Sequence, residues 1–216
     1  MKKNKFSKFV SNNFWSNKKD YPPYGDVIKK RRLHEINFVS SYIWNSDKEI
    51  NSIIDLGCGD GSTTIMLQEL NRIKNFYCYD ISSGLIETLK NLNRSSNIES
   101  FVQNFSDNDY SLKTSDLCIS FGLFMCLEDE DLNNLISKIK SDFFISRNPC
   151  SLKDREEINT FSEKMQENYS GIYRTTDEYR EVFEKHGFNS IKISRAYPDD
   201  IESAFGTKQF FFTCER

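Results

Sequence analysis

Residues 53–61 of this chain read Ile53-Ile54-Asp55-Leu56-Gly57-Cys58-Gly59-Asp60-Gly61. Apolar β-branched residues run into an acid, glycines then alternate, and Ser62 opens a stretch with apolar residues at helical spacing. This order is typical of a buried strand, a tight glycine turn and the start of a helix. Glycine also lets a ligand approach the main chain where a side chain would collide. The free N–H groups of the following helix suit a carboxylate or phosphate, so the segment predicts a nucleotide-type site. The alternative is a turn that binds nothing.

The spacing of the glycines shows which of the known nucleotide-binding motifs this segment matches. The dinucleotide motif G-x-G-x-x-G fails because Ser62 stands where its third glycine belongs, and the phosphate-binding P-loop fails because no lysine follows Gly61. Asp55, Gly57, Gly59 and Gly61 instead resemble the D-x-G-x-G-x-G motif of class I S-adenosylmethionine (SAM)-dependent methyltransferases. In that family the loop wraps the methionine part of SAM. The resemblance therefore implies that SAM is the cofactor and S-adenosylhomocysteine (SAH) its product.

Strands and helices alternate along most of the chain. The hydrophobic pattern predicts, in order, strand 52–56, helix 61–71, strand 75–79, helix 83–92, strand 98–103, strand 115–120, helix 128–139 and strand 142–146. Beyond residue 149 it predicts helices over 152–168 and 176–185, followed by two antiparallel strands, 188–197 and 207–214. Such alternation indicates an α/β fold whose parallel sheet is covered by helices on both faces. The resemblance implies a Rossmann-like, doubly wound sheet of seven strands in the order 3-2-1-4-5-7-6, with strand 7 antiparallel.

The first 25 residues differ in composition from the rest. Lysines are concentrated there, at Lys2, Lys3, Lys5, Lys8, Lys18 and Lys19. We interpret residues 1–25 as a basic, solvated and partly ordered arm that ends in the proline turn 21–25; contact with a polyanion is the alternative. A helix is predicted from Asp26 to about Trp44, and similar enzymes fold such a helix over the pocket as a lid. Residues 26–216 are predicted to form one domain.

The overall composition indicates which partners and which cellular compartment to expect for this protein. The net charge of −3 disfavours a general nucleic-acid binder, so DNA is not an expected partner. No apolar run is long enough for a membrane helix, and the first residues lack a secretory signal. The six cysteines contain no C-x-x-C pair and there are two histidines, so we expect reduced thiols, no metal site and a cytoplasmic, bacterial-type protein. A monomer or homodimer is expected.

Cofactor residues are predicted where the strands end, because ligands of open parallel sheets bind beyond the carboxyl ends of the strands. Asp80 follows the second strand, 25 positions after Asp55, and a carboxylate there can accept both ribose hydroxyls. The alternative for Asp80 is a helix cap. Ile81 would then lie against adenine. The resemblance implies cofactor contacts from Asp55, Gly57, Cys58, Gly59, Asp80, Ile81, Asn104, Phe105, Ser120 and Phe121.

The third and fourth strands match the family less closely. Phe105 stands where similar families place an acid near the adenine amino group, so Asn104 or Asp107 is expected to supply that contact. After the fourth strand, many small-molecule O-methyltransferases carry a histidine that removes a proton from the acceptor. Residues 125–129 contain none. A base, if one is used, must come from elsewhere.

The remaining histidines differ in context. His34 lies on the predicted lid helix and is the candidate catalytic base, the alternative being an ordinary helix residue. His186 ends a helix, where a cation interacts favourably with the helix dipole, and is predicted to be structural.

Candidate acceptor-binding residues are cations and aromatics near the predicted ligand edge. Arg147 follows the fifth strand, and Tyr173 and Arg174 precede the next helix. Arginine suits a phosphate or carboxylate because its planar fork makes paired hydrogen bonds; surface ion pairs are the alternative. Tyr24, on the proline turn, could close over cofactor or acceptor. An acceptor that is already an anion would need no strong base.

The resemblance implies methyl transfer to a small-molecule acceptor, with O-methylation favoured over N-methylation. The segment from Arg147 through Tyr173-Arg174 also resembles methyltransferases of bacterial capsule and surface-polysaccharide loci, which suggests a sugar or phosphorylated acceptor. One alternative is an RNA or protein methyltransferase that uses the basic arm. Another is a SAM-binding partner subunit without catalysis.

Overall fold

A computed structural model of the chain describes residues 5–19, 26–163, 165–202 and 207–216. The helices are α1 (Lys8–Ser16), α2 (Asp26–Asn45), α3 (Ser62–Leu70), α4 (Ser83–Leu92), α5 (Asp129–Lys138) and α6 (Thr176–Lys185), with a 3₁₀ turn at Phe124–Cys126. The strands are β1 (Ser52–Leu56), β2 (Asn75–Asp80), β3 (Ile98–Val102), β4 (Leu117–Phe121), β5 (Phe143–Ser151), β6 (Glu156–Ser162), β7 (Glu167–Tyr173), β8 (Ser190–Arg195) and β9 (Thr207–Glu215).

Seven of these strands form one sheet in the order β3-β2-β1-β4-β5-β9-β8. The first five strands pair in parallel, whereas β9 runs antiparallel to both β5 and β8. Because β8 and β9 correspond to strands 6 and 7 of the predicted order 3-2-1-4-5-7-6, the expected topology is confirmed. Neighbouring residues Ile53 and Ile54 of β1 are both fully buried, in hydrophobic clusters on opposite faces of the sheet. Helices therefore cover both faces, as in other parallel sheets.

The helix predicted over residues 152–168 is wrong. β6 and β7 form a separate antiparallel hairpin that pairs residues 156–162 with residues 167–173. Tyr169, Ile172 and Tyr173 are residue types that favour strands, and the polar composition of this region concealed them. The hairpin packs against α1. The Phe14 ring of α1 lies edge-to-face with the Tyr169 ring of β7, with 5.6 Å between their centroids.

The interpretation of the N-terminal residues as a solvated arm is wrong for residues 7–16. Ser7 caps α1 by accepting a hydrogen bond from the Val10 N–H. Phe14 is 3% exposed, and its ring also packs edge-to-face on Trp15. The proline turn, including the candidate residue Tyr24, lies outside the described residues.

Helix α2 packs on the sheet. Its Phe38 ring stacks on Phe211 of β9 with 4.0 Å between centroids, and Tyr42 packs edge-to-face on Phe143. Among the described residues, no helix combines the length and apolarity needed to cross a membrane.

Candidate active site

The turn between β1 and α3 presents bare main chain. Gly57, Gly59 and Gly61 all have positive φ, at 77°, 58° and 71°, which side-chain-bearing residues rarely adopt. The N–H groups of Gly57 and Cys58 both donate to the carbonyl of Tyr79, at 2.8 and 3.1 Å, so the turn is fixed to β2. This is the conformation that the glycine motif predicts.

Asp80 ends β2 directly beside this turn. Its Oδ2 accepts a hydrogen bond from the Gly59 N–H and its Oδ1 accepts one from the Ser82 N–H, both at 2.9 Å. The residue is 8% exposed, and burial raises the pKa of its carboxyl group, although the backbone N–H donors oppose that rise. Each oxygen retains acceptor capacity beyond the bond it makes, so the carboxylate is held in one orientation and can accept hydroxyl donors.

A cleft lies at the carboxyl ends of β1, β2 and β4, with about 580 Å³ of empty space when the open solvent at its mouth is included. It is lined by Asn12, Trp15, Gly57, Asp80, Ile81, Asn104, Phe105, Phe121, Gly122, Leu123, Cys126 and Leu127. Six predicted cofactor residues are therefore brought together: Gly57, Asp80, Ile81, Asn104, Phe105 and Phe121. Their contact with SAM remains a prediction.

The other four predicted cofactor residues lie behind the cleft wall. Asp55 accepts a 2.6 Å hydrogen bond from the Thr64 hydroxyl, and Ser120 donates a 3.0 Å bond to the Leu56 carbonyl. Gly59 orients Asp80, as described above, and the buried Cys58 thiol donates to the Gly59 carbonyl at 3.6 Å. These contacts shape the turn and join β1 to β4 and α3. None of the four residues is among those that line the cleft.

Sequence reasoning missed half of the cleft lining. Asn12 and Trp15 come from α1, while Gly122, Leu123, Cys126 and Leu127 come from the segment after β4. The apolar residues Phe9, Val10, Phe14 and Trp15, within a lysine-rich segment, were the available signal for α1. The expected lid, α2, contributes no lining residue, because its apolar face packs on the sheet.

Arg147 lies beside the cleft and is tied to a buried carboxylate. Its guanidinium occupies the space where a side chain at Gly122 would begin: Nη1 is 2.9 Å from the position of a Cβ there. Its Nε donates to Glu35 Oε1 at 2.9 Å, and its Nη1 donates to Gln209 at 3.2 Å. Tyr197 donates to the same oxygen of Glu35. The arginine side chain is 18% exposed, so it is held firmly with limited access to solvent.

The interpretation of Arg174 as an acceptor clamp is wrong. The residue is 1% exposed, and its Nη2 and Nε donate to Asp129 Oδ1 at 2.6 and 2.9 Å. Its Nη1 and Nη2 also donate to the carbonyls of Phe124 and Leu127, at 2.9 and 2.7 Å. Arg174 thus fastens the segment after β4, which lines the cleft, to the end of β7. These hydrogen bonds all lie within the chain, and we predict a structural role for Arg174.

The remaining candidates are not among the residues that line the cleft. Tyr173 is half-buried on the hairpin, with its hydroxyl 3.4 Å from that of Tyr169. His34 is exposed on α2, and its ring lies edge-to-face with Tyr197 at 6.3 Å. His186 follows α6, its Nε2 is 3.1 Å from Asn133 Oδ1, and burial lowers its pKa. Across the ranges that the structure describes, no cluster of three His, Cys, Asp or Glu residues is placed to hold a metal.

Asp55 gives the fold a specific pH dependence. Burial raises the pKa of this carboxyl group from 3.8 to about 7. The folded state therefore binds a proton between about pH 4 and 7 that the unfolded chain has lost, and the free energy of unfolding falls as pH rises through that window. The loss amounts to about 4 kcal/mol at one pKa unit per 1.36 kcal/mol. We expect Asp55→Asn to remove it, as measured by urea unfolding from pH 4 to 8.

The matched control for Asp55→Asn is Asp109→Asn, because Asp109 is exposed. Its unfolding free energy should follow that of the wild type at every pH. Parallel curves for wild type and Asp55→Asn would show that folding does not raise the pKa of the Asp55 carboxyl group.

Comparison with known proteins agrees with this geometry. Residues 53–141 match the family described as a methyltransferase domain. A curated malonyl-[acyl-carrier protein] O-methyltransferase from Acetivibrio thermocellus is 28% identical over 137 residues, which cover 62% of this chain and 47% of that protein. The chain spans about half the length of that curated relative.

Solved structures share the fold at low sequence identity. A SAM-dependent methyltransferase from Leishmania major superposes with a TM-score of 0.71 at 13% identity, covering 96% of this chain and 82% of the other. Human N-acetylserotonin methyltransferase, solved in complex with SAM, gives a TM-score of 0.60 at 14% identity, covering 97% of this chain and 56% of the other.

Proposed function

We propose that this chain, whose residues 53–141 match a methyltransferase domain, transfers the methyl group of SAM to an oxygen of a small-molecule acceptor, namely a metabolite that carries a carboxylate, a phosphate or a sugar. The proposal rests on the position of Arg147. Its side chain donates a hydrogen bond to the buried Glu35 carboxylate and packs against Gly122, which lines the cleft. The relative from Acetivibrio thermocellus is an O-methyltransferase by name, which is compatible with an oxygen acceptor.

The residues that line the cleft suit the chemical groups of SAM. A Cβ at Gly57 would come within 3.1 Å of Leu123 Cβ, so only a bare main chain leaves this part of the cleft open. We assign to Asp80, fixed by two N–H donors, the acceptance of the ribose hydroxyls, and to Ile81 and Phe105 the apolar surface for adenine. When bound, SAM supplies a methyl group made electrophilic by its sulfonium.

Two arginines contact the Tyr197–Glu35 pair, which we assign to the acceptor side. Arg147 pairs with the buried Glu35 carboxylate. The Arg31 guanidinium lies over the Tyr197 ring, 5.4 Å from its centroid, and its Nε donates to the Ile201 carbonyl. Guanidinium groups suit an anionic acceptor because they make paired hydrogen bonds to carboxylate and phosphate. A carboxylate or phosphate oxygen is already a nucleophile, so the protein's task is to orient it and exclude water. No base is then required, which accords with the exposed position of His34.

Methyl transfer from radiolabelled SAM to a panel of metabolites tests the proposal. The panel pairs carboxylic acids and sugar phosphates with their amides and unphosphorylated sugars. We expect turnover of at least one anionic member and none of its neutral analogue. Equal turnover of both members of a pair would contradict the anionic acceptor. Tight SAH binding without turnover would instead favour a non-catalytic partner subunit.

Arg147 is predicted to act on the acceptor. Arg147→Met alone would leave Glu35 buried without this partner, so the comparison uses Glu35→Gln as the background. Adding Arg147→Met to that background should lower kcat/KM for the anionic acceptor roughly tenfold to hundredfold, the value of a charge-assisted hydrogen bond. The SAH dissociation constant, measured by calorimetry, should change less than about twofold. An unchanged kcat/KM would show that Arg147 is purely structural.

The contacts of two N-terminal lysines argue against the alternative of an RNA or protein acceptor. Lys8 pairs with Asp131 at 2.8 Å and Lys18 pairs with Glu167 at 2.7 Å. Both charges are thus engaged within the chain. Low salt sensitivity of catalysis would agree with a small acceptor, whereas a steep fall with salt would favour an RNA.

A further inference from the structure

Helix α1 crosses the cofactor cleft and is fastened on both sides of it. At its start, the Ser7 N–H donates to the Ser170 hydroxyl of β7 at 2.8 Å. In its middle, the Ser11 hydroxyl donates to the Cys126 carbonyl at 3.3 Å. Just beyond its end, the Lys18 carbonyl accepts from the hydroxyl of Ser82, two residues after Asp80. The helix therefore spans from the hairpin to the proposed ribose site.

The inner face of α1 contributes Trp15 to the cleft. The indole Nε1 is buried and makes no hydrogen bond of ordinary geometry within the described part of the chain. The Cys126 thiol lies beside it, and burial raises the pKa of that thiol to about 12, so it stays protonated and is only a weak acceptor. A buried donor without a good acceptor destabilises the ligand-free protein. Because Trp15 lines the cleft, rotation of the indole on ligand binding would turn its N–H from the Cys126 thiol to an acceptor atom of the ligand and recover that loss.

We propose that Trp15 is a donor-binding residue: α1 forms the outer wall of the SAM site, and the indole N–H donates to the bound cofactor. The inference rests on the proposed function for the identity of the ligand and adds a residue outside the domain that the glycine motif defines. The aromatic plane and the N–H together suit a nucleoside-containing ligand, which presents both flat apolar surface and acceptor atoms. Because α1 would contact the ligand, binding should also stabilise α1 by linkage.

The chain provides its own spectroscopic probe. It contains two tryptophans, and the other, Trp44, is 66% exposed at the end of α2, outside the cleft lining. In Trp44→Phe the emission reports Trp15 alone, and in Trp15→Phe it reports Trp44 alone. We expect SAH to change the emission of Trp44→Phe and to leave that of Trp15→Phe unchanged.

Affinity and hydrogen exchange complete the test. By calorimetry, Trp15→Phe, which keeps an aromatic ring but loses the N–H, should bind SAH roughly fivefold more weakly than Trp44→Phe. In the wild-type protein, SAH should slow amide exchange of residues 8–16. If both variants bind SAH equally, the Trp15 emission is unchanged and α1 exchanges at the same rate, the inference is overturned while the proposed function stands. If wild-type protein fails to bind SAH, the proposed function falls first.

Discussion

Asp80→Ala should bind SAH at least about tenfold more weakly than the wild type. The substitution removes the carboxylate proposed to accept the ribose hydroxyls, and charge-assisted hydrogen bonds of this kind contribute about 1.5–3 kcal/mol. It also leaves the Gly59 and Ser82 N–H groups without the acceptor that orders the turn. Two losses therefore act together on one site. Isothermal titration calorimetry with SAH measures the effect directly.

Two further variants separate these losses. Asp80→Asn keeps the size of the side chain and one acceptor oxygen, so it should fall between wild type and Asp80→Ala. Glu99→Gln is the matched control, because Glu99 is exposed on β3 and pairs with Lys113 at 3.6 Å, outside the cleft lining. It should bind SAH as the wild type does. Undiminished binding by Asp80→Ala would remove the ribose contact, and with it the placement of SAM in this cleft.

Arg174→Met should destabilise the fold by about 3 kcal/mol. Breaking a buried ion pair costs about 3–5 kcal/mol, and the lower end applies because Asp129 keeps solvent and Arg155 as partners. The carbonyls of Phe124 and Leu127 also lose their donors. At 2–4 °C per kcal/mol for a chain of this size, the melting temperature should fall by roughly 6–12 °C.

This prediction distinguishes a structural arginine from an acceptor clamp. Differential scanning calorimetry should show the fall in Tm, while Arg94→Met, at an exposed position between α4 and β3, should melt with the wild type. Assayed well below its Tm, Arg174→Met should retain the wild-type KM for the acceptor. An unchanged Tm with a raised KM would restore Arg174 as a residue that binds substrate.

The parts of the fold that could be predicted are those specified locally. The strand–turn–helix unit β1–α3 can be predicted from its own pattern, because its signals lie within 20 residues of one another. These signals are Ile53 and Ile54, the alternate glycines and the apolar period of α3. Asp80 could be placed because a strand end fixes the position of a side chain in a parallel sheet. The strand order followed from the resemblance that this unit supports.

The parts that were missed depend on contacts distant in sequence. Helix α1 has nine residues, too few to be stable alone, and the Ser7–Ser170 bond joins positions 163 residues apart. The hairpin likewise depends on Phe14 meeting Tyr169. Arg174 was misjudged because the sequence shows its charge but not its burial. Its burial cannot be predicted from the sequence, because its carboxylate and carbonyl acceptors come together only in the folded chain.

The packing of α1 on the hairpin bears on where this protein can safely be shortened. Composition alone invites trimming the lysine-rich head at residue 25 to improve crystallisation. Such a truncation would remove Phe14, which packs on Tyr169, and the Ser7 N–H that donates to the Ser170 hydroxyl. It would also expose the cleft at Cys126, where the Ser11 hydroxyl now donates to the main chain. The exposed aromatic surface would then invite self-association, and poor behaviour of the shortened protein would be mistaken for a property of the enzyme.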